Sequence, residues 1–187
     1  MSYKRSKYFI TRSKKKIKYL LSNKNSEITV VFFHGFMSDM VGAKPKAIQK
    51  FCNKNNFQVV CIPSNSDPGS YEMKLVIEKY SDANWLIRAV TLPRLQFVNL
   101  MRNAMALVGN SSMGILEAPH YKLPVVNIGN RQQGRLNAGN VEFVPYETDA
   151  IIRALEKAAL DKEYQQKIKK LENPYGDSSA PKKVRKA

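Results

Sequence analysis

The chain reads as an α/β protein built on a doubly wound, mostly parallel sheet with helices on both faces. Two observations predict the layered sheet. From Ile28 onward, short β-branched or apolar runs alternate with amphipathic stretches, the order of strands and covering helices. Those runs are nearly all apolar, as strands buried on both faces must be.

Strands are expected at 28–34, 58–62, 85–90, 106–109, 125–128 and 141–144. Helices are expected at 45–54, 71–80, 95–104, 114–121 and 148–170, the last with a break near Asp161. In the second helix Met73, Val76, Ile77 and Tyr80 recur at helical spacing and predict one buried face. Sheets of this kind bind ligands outside the carboxyl ends of their strands, so the loops following each strand hold the candidate site.

Composition narrows the function. With 187 residues, 43% hydrophobic and 25% charged, the chain can bury a core without disulfide staples. Cys52 and Cys61 lie in apolar surroundings with no metal-ligand spacing, which predicts reduced core thiols, a cytoplasmic setting and no metal. No apolar run approaches the length of a membrane span, and the basic start is not followed by the apolar core of a secretory signal. The net charge of +16 sits mostly in front, where residues 1–57 hold 13 Lys or Arg against 2 acids. Lysines 14–16, Lys18 and Lys24 carry no nucleic-acid-binding motif beside them and read as a solvated segment, so neither nucleic acid nor membrane is expected as a partner.

The strand at 106–109 runs directly into Asn110, Ser111, Ser112, Met113 and Gly114, and then into helical residues. Strand, small polar turn and helix together make an anion cradle, because a helix start offers unpaired N–H groups and serines add donors without bulk. The same residues are also ordinary helix caps. Glu117 follows on that helix, where a carboxylate can accept hydrogen bonds from ribose hydroxyls. Arg131 and Arg135 lie in the loop after the next strand, and adjacent strand ends bring such loops together. The turn-rich loop 63–70, which contains Asn65, either lines the same crevice or is a surface turn capping the next helix.

Four ordered stretches carry a resemblance: PSNSDPGS at 63–70, GNSSMGILEAP at 109–119, LPVVNIGNRQQGR at 123–135 and NPYGD at 173–177. Together they resemble the UDP-N-acetylglucosamine 2-epimerase family, in particular its hydrolysing branch, which makes N-acetylmannosamine or a relative for sialic-acid-like sugars. The resemblance implies the C-terminal one of two Rossmann-like halves of a GT-B-type architecture, with UDP bound between them and no cofactor. By matching motif it puts Ser111 and Ser112 on the phosphates, Glu117 on the ribose, Arg131 on the nucleotide and Asn65 on the neighbouring part of the ligand. Two positions depart from the pattern: Met113 replaces a small residue, and Ser178 replaces the second glycine of a GDG ending.

Residues 8–56 resemble instead the opening of an α/β-hydrolase, including an HGF turn after the strand. The hydrolase machinery does not follow, for GNSSMG at 109–114 is not a nucleophile elbow and His120 comes too soon after Ser112 for a triad built from separate loops. The composition shift near residue 57 marks either a join of unlike pieces or one diverged domain; in the second case His34 becomes a UDP contact. The expected organisation is a basic segment at 1–27, a nucleotide-sugar-binding domain at 28–175 and a basic tail at 176–187. The family's acid and base carboxylates lie largely in an N-terminal half for which this chain has no room. UDP-sugar binding with little turnover by the chain itself is therefore expected, with a homodimer or a separate N-terminal-half partner. The alternatives are a non-catalytic interaction module or a truncated esterase.

Overall fold

The computed structural model describes residues 7–10, 16–19, 29–33, 43–62, 70–89 and 92–176. Two short strands, β1 (Lys7–Ile10) and β2 (Lys16–Tyr19), pair antiparallel with Lys7 opposite Tyr19 and Ile10 opposite Lys16. The sequence reading did not expect a strand pair in the basic front. The KIKY of β2 alternates charged and apolar residues with the period of a strand, a signal the density of lysines conceals.

The main sheet contains β3 (Thr29–Phe33), β4 (Gln58–Ile62), β5 (Leu86–Arg88), β6 (Ala106–Gly109), β7 (Val125–Ile128) and β8 (Val141–Val144). Their order is β5-β4-β3-β6-β7-β8, and every neighbouring pair is parallel. The chain therefore starts at the centre with β3, winds outward to β5, returns to place β6 beside β3, and winds outward the other way. The reversal between β3 and β6 is the topological switch point, where the loops leaving two adjacent strands diverge and open a crevice. β3 pairs with β4 from Thr29 opposite Gln58 to Phe33 opposite Ile62, and with β6 from Val30 opposite Ala106 to Phe33 opposite Gly109. Residues before 57 thus supply the middle strand of the same sheet.

The helices that make the crossovers are α1 (Ala43–Asn55), α2 (Ser70–Glu78), α3 (Arg94–Asn103) and the single turn α4 (Met113–Leu116), which continues as a 3₁₀ turn over Ala118–Tyr121. After β8 come α5 (Thr148–Leu160) and α6 (Lys162–Lys170). α1 begins two residues ahead of the expected start at Pro45, because a proline is tolerated in the first turn, where its missing N–H costs nothing. The break at Asp161 falls as expected: its carboxylate accepts from the Tyr164 N–H at 2.9 Å and caps α6.

Strand alternation divides the core between two faces. Ala106 and Val108 of β6, with Val126 and Ile128 of β7, join Ile48 and Phe51 of α1 and Ile151 and Leu155 of α5 on one face. Leu107 and Val125 point the other way and pack with Met101 of α3, Ala118 and Leu123. Each fully buried Leu, Ile or Phe contributes about 1.5–3 kcal/mol of transfer free energy, which explains why these short strands hold without long ladders. The face expected on α2 is shallower than its spacing implies. Val76, Ile77 and Tyr80 are half-buried, with Tyr80 meeting Trp85 edge-on at 5.6 Å. α2 leads to β5, which is short and at the sheet's edge, so the layer beneath it is thin.

Candidate functional site

β6 carries the chain to the switch point, and the turn that follows is built from the residues read as an anion cradle. Asn110 is buried, whereas Ser111 and Ser112 are half-buried. The Ser111 Oγ accepts from the Met113 N–H at 3.4 Å, a long bond, and the Ser112 side chain makes no capping hydrogen bond. Both hydroxyls remain chemically suited to an anion. The expected helix at 114–121 is corrected: α4 is one turn, Met113–Leu116 with Glu117 as its C-cap, and the 3₁₀ turn that follows carries Pro119 at its start. Too few peptide dipoles line up for a strong macrodipole, so any anion held here relies on local N–H and hydroxyl groups.

Gly114 is required at this turn. A Cβ there would lie 2.8 Å from Val125 Cγ1, so α4 sits directly on β7. Met113, the bulky departure from the family pattern, packs against the Met101 and Leu107 cluster and turns its side chain towards the core.

Glu117 is partly exposed, and its Oε2 lies 3.3 Å from the Arg94 guanidinium. Arg94 opens α3, the crossover that returns from β5 to β6, and sits 5.6 Å from the Phe97 ring. At this exposure the ion pair contributes little to stability, but it places a cation beside the carboxylate assigned to the ribose. Sequence reading missed Arg94. Its position at the start of a crossover helix, hence at the carboxyl edge of the sheet, was the signal available.

Arg131 and Arg135 are exposed on the turn-rich loop after β7. The side chain between them and the sheet is Gln132, only 1% exposed, whose Nε2 donates to the Asn110 carbonyl at 3.0 Å. This bond joins the arginine loop to the serine turn. Asn140 braces the other side of the turn, donating from Nδ2 to the carbonyls of Gly114 (3.3 Å) and Leu123 (3.1 Å). At the foot of the loop, Asn127 donates to the Gly129 carbonyl at 3.0 Å, and Gly129 adopts a left-handed φ of +86°. The Tyr146 hydroxyl occupies the place of a Gly129 Cβ, and Lys44 Nζ lies 4.6 Å above the Tyr146 ring. Asn110, Asn127 and Gln132 lie within the motifs quoted above and Asn140 outside them, and the burial of none of the four could be read from the sequence.

The structure therefore brings Ser111, Ser112, Glu117 and the Arg131 loop to one end of the sheet. His34 and Asn65 lie outside the described residues. Among the described residues no group of His, Cys, Asp and Glu could hold a metal ion, and no helix is long and apolar enough to cross a membrane. Cys52 and Cys61 are free and buried, and burial pushes both thiols up to about 12.

Comparison with known proteins gives one family. The UDP-N-acetylglucosamine 2-epimerase family matches residues 5–187, the front of the chain included. The UDP-N,N'-diacetylbacillosamine 2-epimerase (hydrolyzing) of Legionella pneumophila is 33% identical over 155 residues, 82% of this chain and 40% of that protein. Among solved structures, a UDP-N-acetylglucosamine 2-epimerase from Neisseria meningitidis, bound to UDP-GlcNAc, superposes with a TM-score of 0.64 at 24% identity, covering 88% of this chain and 44% of that one. A Listeria monocytogenes structure described as the same enzyme gives a TM-score of 0.68 at 17% identity, covering 86% and 44%. The chain spans well under half the length of these relatives, in keeping with the C-terminal half that its motif order implies. The motifs at the switch point, the parallel sheet on which they stand and the match along 5–187 lead to one conclusion: this chain belongs to the UDP-N-acetylglucosamine 2-epimerase family.

Proposed function

We propose that residues 28–175 form a nucleotide-sugar-binding domain that holds the diphosphate and uridine of a UDP-sugar, UDP-N-acetylglucosamine or a derivative of it, at the switch point. The observation that carries this reading is the convergence of the serine turn, Glu117 and the Arg131 loop at the carboxyl end of the sheet, joined by the Gln132 to Asn110 bond. Serine hydroxyls and local N–H groups offer donors to the diphosphate, Glu117 accepts from ribose hydroxyls, and Arg131 supplies positive charge. Asn65 joins the set by motif, and His34 by its place in the sequence directly after β3, with the front read as part of one domain.

In an epimerase of the hydrolysing type, the sugar loses its C2 proton, UDP departs, and water adds. This half contributes electrostatic holding of the leaving diphosphate, whose negative charge grows as the bond to the sugar breaks. The resemblance places the family's acid and base carboxylates largely in the other half, so residues 28–175 by themselves hold UDP and contribute little to turnover. Calorimetric titration with UDP tests the reading: a folded sample should release or absorb heat on binding, and Ser111→Ala should weaken the affinity roughly three- to tenfold, the worth of one hydrogen bond. No heat at millimolar UDP overturns it.

A further inference from the structure

Gln132 stands apart from its neighbours. Arg131, Gln133, Gly134 and Arg135 are all exposed, while Gln132 is 1% exposed and reaches inward to the Asn110 carbonyl at 3.0 Å. The orientation of its amide follows from the acceptor, because a flipped amide would set two carbonyl oxygens against each other. The rest of the loop is held differently. At its foot Gly129 N–H donates to the Val144 carbonyl at 2.8 Å, and within it the Gln133 N–H donates to the Asn130 carbonyl at 3.0 Å. At its far end the Tyr175 hydroxyl donates to the Leu136 carbonyl at 2.7 Å. Gln132 supplies a bond that crosses from this loop to the turn after β6.

That bond comes with a cost. Gln132 Oε1 and Asn110 Oδ1 are both buried without a hydrogen-bond partner. An apolar side chain of the same length would fill the space and remove the unpaired Gln132 Oε1, but would take from the Asn110 carbonyl the donor it now has, so what the amide adds is the cross-loop bond itself. We propose that Gln132 is a positioning residue: it fixes the Arg131 loop against the Ser111 turn and so sets the affinity for a nucleoside diphosphate that it does not touch. This inference rests on the UDP-binding reading of the site.

A double-mutant cycle, read by UDP calorimetry, tests it. Arg131→Ala should weaken UDP binding about tenfold, and Gln132→Met about three- to tenfold, the worth of one hydrogen bond. If Gln132 acts through Arg131, the double variant binds no more weakly than Arg131→Ala alone. Gln132→Glu gives a second readout. As a carboxylate it faces the Asn110 carbonyl and repels it; once protonated it donates as the amide does. Its affinity relative to wild type should therefore recover as pH falls from 8 to about 5.5, since burial raises a carboxyl's pKa. In the unsubstituted protein, UDP should slow amide hydrogen exchange in 110–117 and 129–135 together. Unchanged affinity of Gln132→Met, effects that multiply in the double variant, or protection of only one segment each overturn the proposal while leaving UDP binding intact. Absence of UDP binding by the wild type overturns both.

Discussion

Four carboxamides, those of Asn110, Asn127, Gln132 and Asn140, are buried around the turn after β6 and along β7, and three of them keep a carbonyl oxygen without a partner. Each such oxygen costs about 1–3 kcal/mol, so this region is less stable than an apolar packing of the same shape. The buried thiols are the opposite case, groups that burial keeps neutral and inert. With Cys52 and Cys61 pushed from 9.0 up to about 12, the folded chain keeps both protons where the unfolded chain loses them. Unfolding therefore releases protons between pH 9 and 12, and stability, undiminished below pH 9, falls as pH rises through that window. Guanidinium melts at pH 8 and pH 10.5 should show a lower midpoint at the higher pH, and replacing both cysteines with alanine should flatten the difference. An aromatic disulfide reagent should label neither thiol until denaturant is added.

The weakest link in the element pattern is the connection from β6 to β7. An α-helix was expected along 114–121, but Pro119 splits it into one α turn and one 3₁₀ turn, closed by Lys122 in a left-handed conformation at φ +55°. Gly114 is what lets so short a piece lie flat on β7. Gly114→Ala should destabilise the fold by about 1–3 kcal/mol, because the new methyl meets the branched Val125 side chain at 2.8 Å and neither can move away. Thermal denaturation checks this, and an unchanged midpoint would show that α4 can lift off the strand. Gly129 is constrained twice over, by its φ of +86° and by the Tyr146 hydroxyl beside it. The six strands of the main sheet, by contrast, were legible to within a residue or two, since an apolar run bounded by turn formers has few other uses in an α/β chain.

For the whole molecule, the central position of β3 decides how the front of the chain is to be regarded. Its pairing on both sides, with β4 and β6, and the packing of α1 against α5, reinforced by the Lys54–Glu156 ion pair at 2.7 Å, tie residues before 57 into the same core. A fragment starting at residue 57 would expose the inner edges of β4 and β6 and lose Ile48 and Phe51 from the core. We expect it to be insoluble or molten, with no cooperative melt by circular dichroism; a cooperative melt near that of the full chain would show the front to be dispensable. By itself the sequence determined the α/β class, the strand positions, the break at Asp161, the buried thiols and the motifs that proved to carry the family, because each depends on residue type and spacing along a local stretch. Only the tertiary structure decided that β3 lies between β4 and β6, that Arg94 reaches Glu117, and that Gln132 turns inward to Asn110. Those are pairings between residues distant in sequence, and whether a charged or amide side chain is exposed or buried depends on what the rest of the chain packs against it.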